Sequence, residues 1–203
     1  MNYLAFEKSL REFPVFSIKD IKKRYPGFDN RRLVEWQQKN YIQKIRREYY
    51  CFDERNKDEN FLFFAANKIY SPSYVSMESA LAFHNLIPEG VFMTTSISTR
   101  NTARYNTPVG DFTYSHVKAM LLFGYRLIQN DGLAIKIAEP EKVILDYLYL
   151  KKLNSEDDID ALRLNAIQIK EIVDFHKLDK YQKIFDSKVL NKRIMLFKEI
   201  INA

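Results

Sequence analysis

Metal-binding or nucleophilic chemistry needs particular side chains at particular spacings, and this sequence has few of them. Its three histidines, His84, His116 and His176, stand far apart, with no HxH, HExxH or cysteine partner at ligand spacing, so each is expected to be a core or surface group and not a metal ligand. Five glycines, none in a GxGxxG or GxxxxGK[ST] arrangement, leave no loop to cradle phosphate. The acidic cluster Glu139, Glu141 and Asp146, with Lys142 among it, is what a metal-dependent nuclease would use. Acids in a first helical turn are, however, ordinary partners of the helix dipole, and Lys142 and Asp146 at i, i+4 make an ion pair. Helix capping and tethering to the preceding strands is therefore the role expected of Glu141 and Asp146. The single Cys51 lies in the apolar run Tyr49 to Phe52 and reads as a buried small hydrophobe. The expectation is a protein with no catalytic residues, no metal and no cofactor.

Positive charge is the chemistry the chain does concentrate. The formal charge is +6, and residues 1–55 hold 13 Lys and Arg against 8 Asp and Glu, leaving the remainder close to neutral. Between Ser17 and Arg47 the ratio sharpens to 10 basic against 3 acidic residues. A local excess of this kind makes an electrostatic footprint for a polyanion.

The elements that would hold these charges follow from spacing. Tyr3, Phe6, Leu10 and Phe13 recur on one helical face up to Pro14. Ser17 is placed to cap a second helix, Ile18 to Tyr25, which Pro26 and Gly27 stop. Asp29 caps a third, Asn30 to Lys39, after which Asn40 suits a left-handed terminating residue. A hairpin follows, with Tyr41, Ile42 and Ile45 in one strand, a basic turn at Arg46 to Glu48, and Tyr49 to Phe52 in the other. This is the order of a winged helix-turn-helix, whose helix after the turn enters the major groove of DNA. With Leu33 and Trp36 turned inward, Arg31, Glu35 and Gln38 point outward, with Val34 beside them and Asn30, Arg32 and Lys39 on the flanks. These are the candidates for base edges and nearby phosphates, whereas Lys22, Lys23, Lys44, Arg46 and Arg47 are candidates for phosphate contacts that position without specifying.

After the charged stretch ERNKDEN the pattern changes. Phe61 to Ile69 and Met77 to Asn85, the latter capped by Ser76, read as helices. Val91 to Ser98, Phe112 to Val117 and Leu133 to Ala138 read as strands, the last opened by a turn at Asp131-Gly132, and Pro140 opens a helix to Leu150. From Ser155 onward the pattern is helical, with apolar stripes through Ile169, Ile172 and Val173 and then Val189, Leu190, Ile194, Phe197 and Ile201. The fold class expected is α+β, a winged helix-turn-helix over residues 1–55 followed by an α+β domain over 56–203 that ends in helices. Its 46% apolar residues suffice for a core, and no apolar run approaches the roughly 18–20 residues that cross a bilayer. With no leader-like N-terminus, a cytoplasmic protein without membrane contact is expected.

Four stretches carry a family likeness: LVEWQQKNYIQKIRREYYCF, KIYSPSYVSMESALAFHNLIPE, TPVGDFTYSHV and IAEPEKVILDYLYL. They resemble the AbiEi antitoxins of type IV toxin-antitoxin systems, which are abortive-infection proteins and transcriptional regulators. Tyr74-Val75-Ser76 with Ser79-Ala80-Leu81, and Pro140-Glu141-Lys142 with Asp146, are its more specific parts. The chain departs from the family at Asn40 and Glu48, where members often carry Gly. The resemblance implies an autorepressor whose winged helix binds inverted repeats of double-stranded DNA in its own promoter, while its C-terminal domain assists repression and opposes a nucleotidyltransferase toxin; repression through two half-sites would require self-association on the DNA. A protein-interaction module, or a solitary transcriptional regulator with no toxin, is the alternative reading.

Overall fold

The computed structural model describes residues 2–202 apart from Asp131 and Asn154, so the turn expected at Asp131-Gly132 lies partly outside the described residues. The chain is α+β. Helix α1 (Tyr3–Leu10) starts where the Asn2 side chain accepts from the Ala5 amide and buries Phe6 and Leu10. It stops at Leu10, short of the expected Phe13, where the Phe13 amide donates to the Leu10 carbonyl at 2.8 Å in a tight turn ahead of Pro14. Strand β1 (Phe16–Ser17) leads into α2 (Ile18–Arg24). Ser17 caps α2 as expected, and Asp20 returns the bond to the Ser17 amide at 2.8 Å, closing a reciprocal capping box. Helix α3 (Arg31–Gln38) follows a tight turn in which the Asp29 side chain accepts the Arg31 amide at 2.9 Å. The chain leaves α3 through Asn40 at φ 55°, the left-handed conformation expected there.

Strands β2 (Ile42–Arg46) and β3 (Tyr49–Phe52) form the hairpin, and β1 pairs with the other edge of β3. The head thus places three helices on a three-stranded antiparallel sheet, in the order of elements found in a winged helix. Phe6, Leu10, Phe16, Ile21, Leu33, Trp36, Ile42 and Phe52 close its core, with the Phe6 and Trp36 rings 4.4 Å apart.

The larger part begins with α4 (Glu59–Ile69), capped by the Asp58 side chain, then β4 (Ser73–Val75), α5 (Met77–Phe83), β5 (Met93–Ser98), β6 (Ala103–Thr107) and β7 (Gly110–His116). It continues through β8 (Tyr125–Asn130), β9 (Leu133–Ala138) and α6 (Pro140–Leu150), with Pro140 in the first turn as expected. Four helices finish the chain: α7 (Glu156–Asp160), α8 (Ala166–Ile172), α9 (Phe175–Phe185) and α10 (Lys188–Asn202). One six-stranded sheet in the order β6-β7-β5-β4-β9-β8 carries them, parallel between β5 and β7 and between β4 and β9, antiparallel elsewhere.

Two sequence expectations change here. Ser76 stands before α5, but its hydroxyl makes no cap and instead donates to Asp146, 2.9 Å away. Val189 is 59% exposed, whereas Leu190, Ile194, Phe197 and Ile201 are buried as the α10 stripe requires. The head and the larger part also share a buried cluster: Val15, Ile45 and Cys51 pack with Phe61, Ala65, Ala66, Ile69, Phe112 and Tyr114. Among the described residues no helix is long and apolar enough to cross a membrane.

Candidate nucleic-acid interface

Helix α3 has one buried and one open side because two large apolar residues, three apart, face the core. Leu33 and Trp36 are almost fully buried, and side chains at the intervening positions must then point away. The Arg31 side chain is 94% exposed, its Nε 3.7 Å from the Asp29 carboxylate, and Val34, Glu35, Gln38 and Lys39 are exposed with it. Positions 31, 34, 35 and 38 form one continuous helical stripe, so the expected outward set is gathered on a single face. Asn30 is exposed at its start and Arg32 is half-buried on the flank. Glu35 and Lys39 make an ion pair at 2.8 Å one turn apart. The hydrogen bond from Lys39 holds the Glu35 carboxyl below its ordinary range, and the same bond raises Lys39. Pairing offsets the repulsion that a lone carboxylate would offer a phosphate backbone.

The flanks supply further cations. Lys22 and Lys23 are exposed on α2. A cleft of about 440 Å³ lies at the turn between α2 and α3, lined by Arg24, Tyr25, Pro26, Gly27, Phe28, Asp29 and Arg32. Arg24 was not in the expected set. It lies over the Phe13 ring at 5.2 Å, and its only sequence signal was its place as the last basic residue before the turn.

The wing divides its cations. Lys44 and Arg47 are exposed, as a phosphate contact requires. Arg46 is half-buried and turned the other way: its Nη1 donates to the Ile69 carbonyl at 2.6 Å, and its guanidinium lies 4.3 Å from the Tyr105 ring and 5.2 Å from that of Tyr70. Arg100 lies 4.4 Å from the Tyr70 ring as well. The sequence pattern groups Arg46 with Arg47; the geometry assigns Arg46 to holding the wing against α4 and β6.

The remaining polar residues are placed by the fold of the larger part. Lys142 and Asp146 form the expected pair on α6, and both are fully buried. Asp146 also accepts from the Tyr74 and Ser76 hydroxyls at 2.8 and 2.9 Å, and the ammonium of Lys142 lies 5.0 Å from the Phe123 ring. Burial pushes Lys142 down and Asp146 up, and each opposes the shift of the other. The network ties α6 to β4, as the tethering role predicts. Glu141 accepts the Asp174 amide at 2.9 Å, and Lys177 bridges Glu139 and Glu141 at 3.1 and 3.3 Å. His84 is buried, its Nε2 bonded to the Ala138 carbonyl at 2.8 Å, and burial lowers its pKa. His116 bonds the Arg100 carbonyl through Nδ1. Burial likewise pushes the Cys51 thiol up to about 11. Among the described residues no three His, Cys, Asp or Glu side chains group as metal ligands. No family model and no curated protein matches the chain.

Proposed function

We propose that this chain is a DNA-binding transcriptional regulator of the cytoplasm, acting as autorepressor and antitoxin of a type IV toxin-antitoxin system and opposing a nucleotidyltransferase toxin. The observation that carries the DNA half is the open stripe of α3, Arg31, Val34, Glu35 and Gln38, flanked by the exposed cations Lys22, Lys23, Lys39, Lys44 and Arg47. Arg suits the paired acceptors of guanine, and Gln or Asn suits adenine. The antitoxin half rests on the AbiEi resemblance. At both positions where members of that family often carry Gly the backbone here is left-handed, Asn40 at φ 55° and Glu48 at φ 71°. Left-handed backbone is what glycine adopts most readily, so both residues hold the conformation that a glycine there would favour. A nuclease reading has less behind it, since Asp146 is sealed from water and Glu141 is already engaged by the Asp174 amide.

The test is binding to the chain's own promoter against random duplex at physiological salt, read by fluorescence anisotropy. Wild-type protein is expected to prefer the promoter. Arg31→Ala and Gln38→Ala should each cost about 1–3 kcal/mol of that preference, and Lys44→Ala should weaken both duplexes alike. Equal affinity of the wild type for the two duplexes rejects the repressor. The toxin half is tested separately, by whether a nucleotidyltransferase reading frame adjoins this gene and whether co-expression of the chain relieves the growth arrest its product causes; no such neighbour, or no relief, rejects that half.

A further inference from the structure

An apolar cleft of about 650 Å³ opens on the larger part where α5, the start of β5 and α6 meet, and Leu81, Ile87, Met93, Tyr147 and Leu162 are among its walls. At its edge stands Phe92, 99% exposed. Scattered exposed hydrophobics are ordinary, but a ring wholly in water beside an apolar opening of this size is a plug and a socket on the same surface. The single chain leaves both unused.

We propose that this face joins two copies of the chain, the Phe92 ring of each seated in the cleft of the other. A twofold interface needs the projecting and receiving groups to lie together on one patch, so that each contact is made twice, and Phe92 itself lines the cleft. The surrounding charge fits the same occupant. Glu78 pairs with Lys151 at 2.5 Å and Glu89 with Arg163 at 3.8 Å, two acids and two bases around one opening. Such a rim offers no net attraction to nucleic acid or to a strongly charged protein, whereas a second identical rim presents a base for every acid. The purpose rests on the regulator reading, because two half-sites of an inverted repeat need two heads, but the association itself is expected without DNA.

Sedimentation velocity of the full chain over roughly 1–100 µM, the range that separates weak from stable association, tests it. A concentration-dependent dimer is expected for the wild type. Phe92→Ser should weaken it by about 30-fold or more, the loss typical of a central aromatic anchor, with the unfolding midpoint of the monomer unchanged. Ala161→Trp should block the socket, since Ala161 lines the cleft from an exposed position. Mixing the two variants should then restore a weak heterodimer, because one plug and one open socket remain. A wild-type monomer throughout the range overturns the proposal, as does a dimer indifferent to Phe92→Ser. A monomer that retains a small apolar molecule in native mass spectrometry overturns it in favour of a ligand cleft. Promoter binding by such a monomer would leave the DNA reading standing, and a dimer that ignores the promoter would remove only that reading.

Discussion

Arg46 and Arg47 are neighbours in the wing with different surroundings, and the difference predicts different phenotypes. Arg47 is exposed, so on DNA it would release counterions from a phosphate. Arg47→Ala is expected to lower the slope of log K against log salt by about 0.9 and to leave folding stability within about 0.5 kcal/mol of wild type. Arg46 spends its guanidinium on the Ile69 carbonyl and the Tyr105 ring. Removing a charged donor from a half-buried carbonyl costs about 1–3 kcal/mol, so Arg46→Ala should lower the urea midpoint while the salt slope stays at the wild-type value. A reduced slope in Arg46→Ala would show the guanidinium to be a phosphate contact after all. The sequence places both residues in one basic turn. It offers no hint of the division, because the partners that capture Arg46 come from α4 and β6, far along the chain.

Elements were legible where a cap and a period coincide. Ser17 with Ile18 and Ile21, and Pro140 ahead of the α6 stripe, each announce a helix whose bounds the structure nearly reproduces. Of the four strands that the sequence pattern does not announce, β1 and β4 are two and three residues long, too short for alternation to register, and β6 alternates in burial, but its sequence ARYNT places only Ala103 and Tyr105 as apolar signals. Strand β8 is a sheet edge with exposed residues on both faces, so it shows no period of two. The α3 face was legible because Leu33 and Trp36 fix the helix rotation by themselves. The hairpin was legible too, but the strain in its turn was not. Glu48 sits at φ 71°, where an L side chain crowds the carbonyl, and the register of β2 on β3 shifts between Lys44 and Arg46. Glu48→Gly removes that strain at some cost in unfolded-chain entropy, and a net gain of about 0.5–1 kcal/mol in thermal or urea unfolding is expected. No gain, or a loss, would mean that the Glu48 side chain contributes more than its backbone costs. At the start of α2, Asp20 carries a pH dependence. Partial burial raises its pKa, but the bonds from Ser17 and the nearby Lys68 outweigh this and leave it below its ordinary value of 3.8. A depressed folded-state pKa gives stability that is complete above 3.8 and is lost as the pH falls below it. Asp20→Asn should therefore cost about 1 kcal/mol at neutral pH and converge on the wild type in acid.

The head and the larger part differ in charge and in fold, yet they are not two beads on a thread. Val15, Ile45 and Cys51 from the head are buried in the same cluster as Phe61, Ala65, Ala66 and Ile69 of α4 and Phe112 and Tyr114 of β7. Polar ties reinforce the junction: Arg46 on Ile69, and Lys68 beside Asp20 at 3.7 Å. An apolar cluster shared in this way cannot be opened from one side only, so melting the head exposes apolar surface of the larger part and the two transitions are coupled. Trp36, the single tryptophan, lies in the head core and reports that part alone, whereas far-ultraviolet circular dichroism weighs the helices of the whole chain. The two probes are expected to give coincident urea transitions. Ile45→Ala removes a buried contact of the shared cluster, at about 2–5 kcal/mol, and should move the Trp36 transition ahead of the dichroism one. If the wild-type transitions are already separate, the junction is only a contact between independent units. If they coincide, the angle at which α3 would meet a duplex is set by the larger part, through α4 and the Arg46 anchorage. A change that loosens this junction should then impair promoter preference without touching any residue on the α3 face.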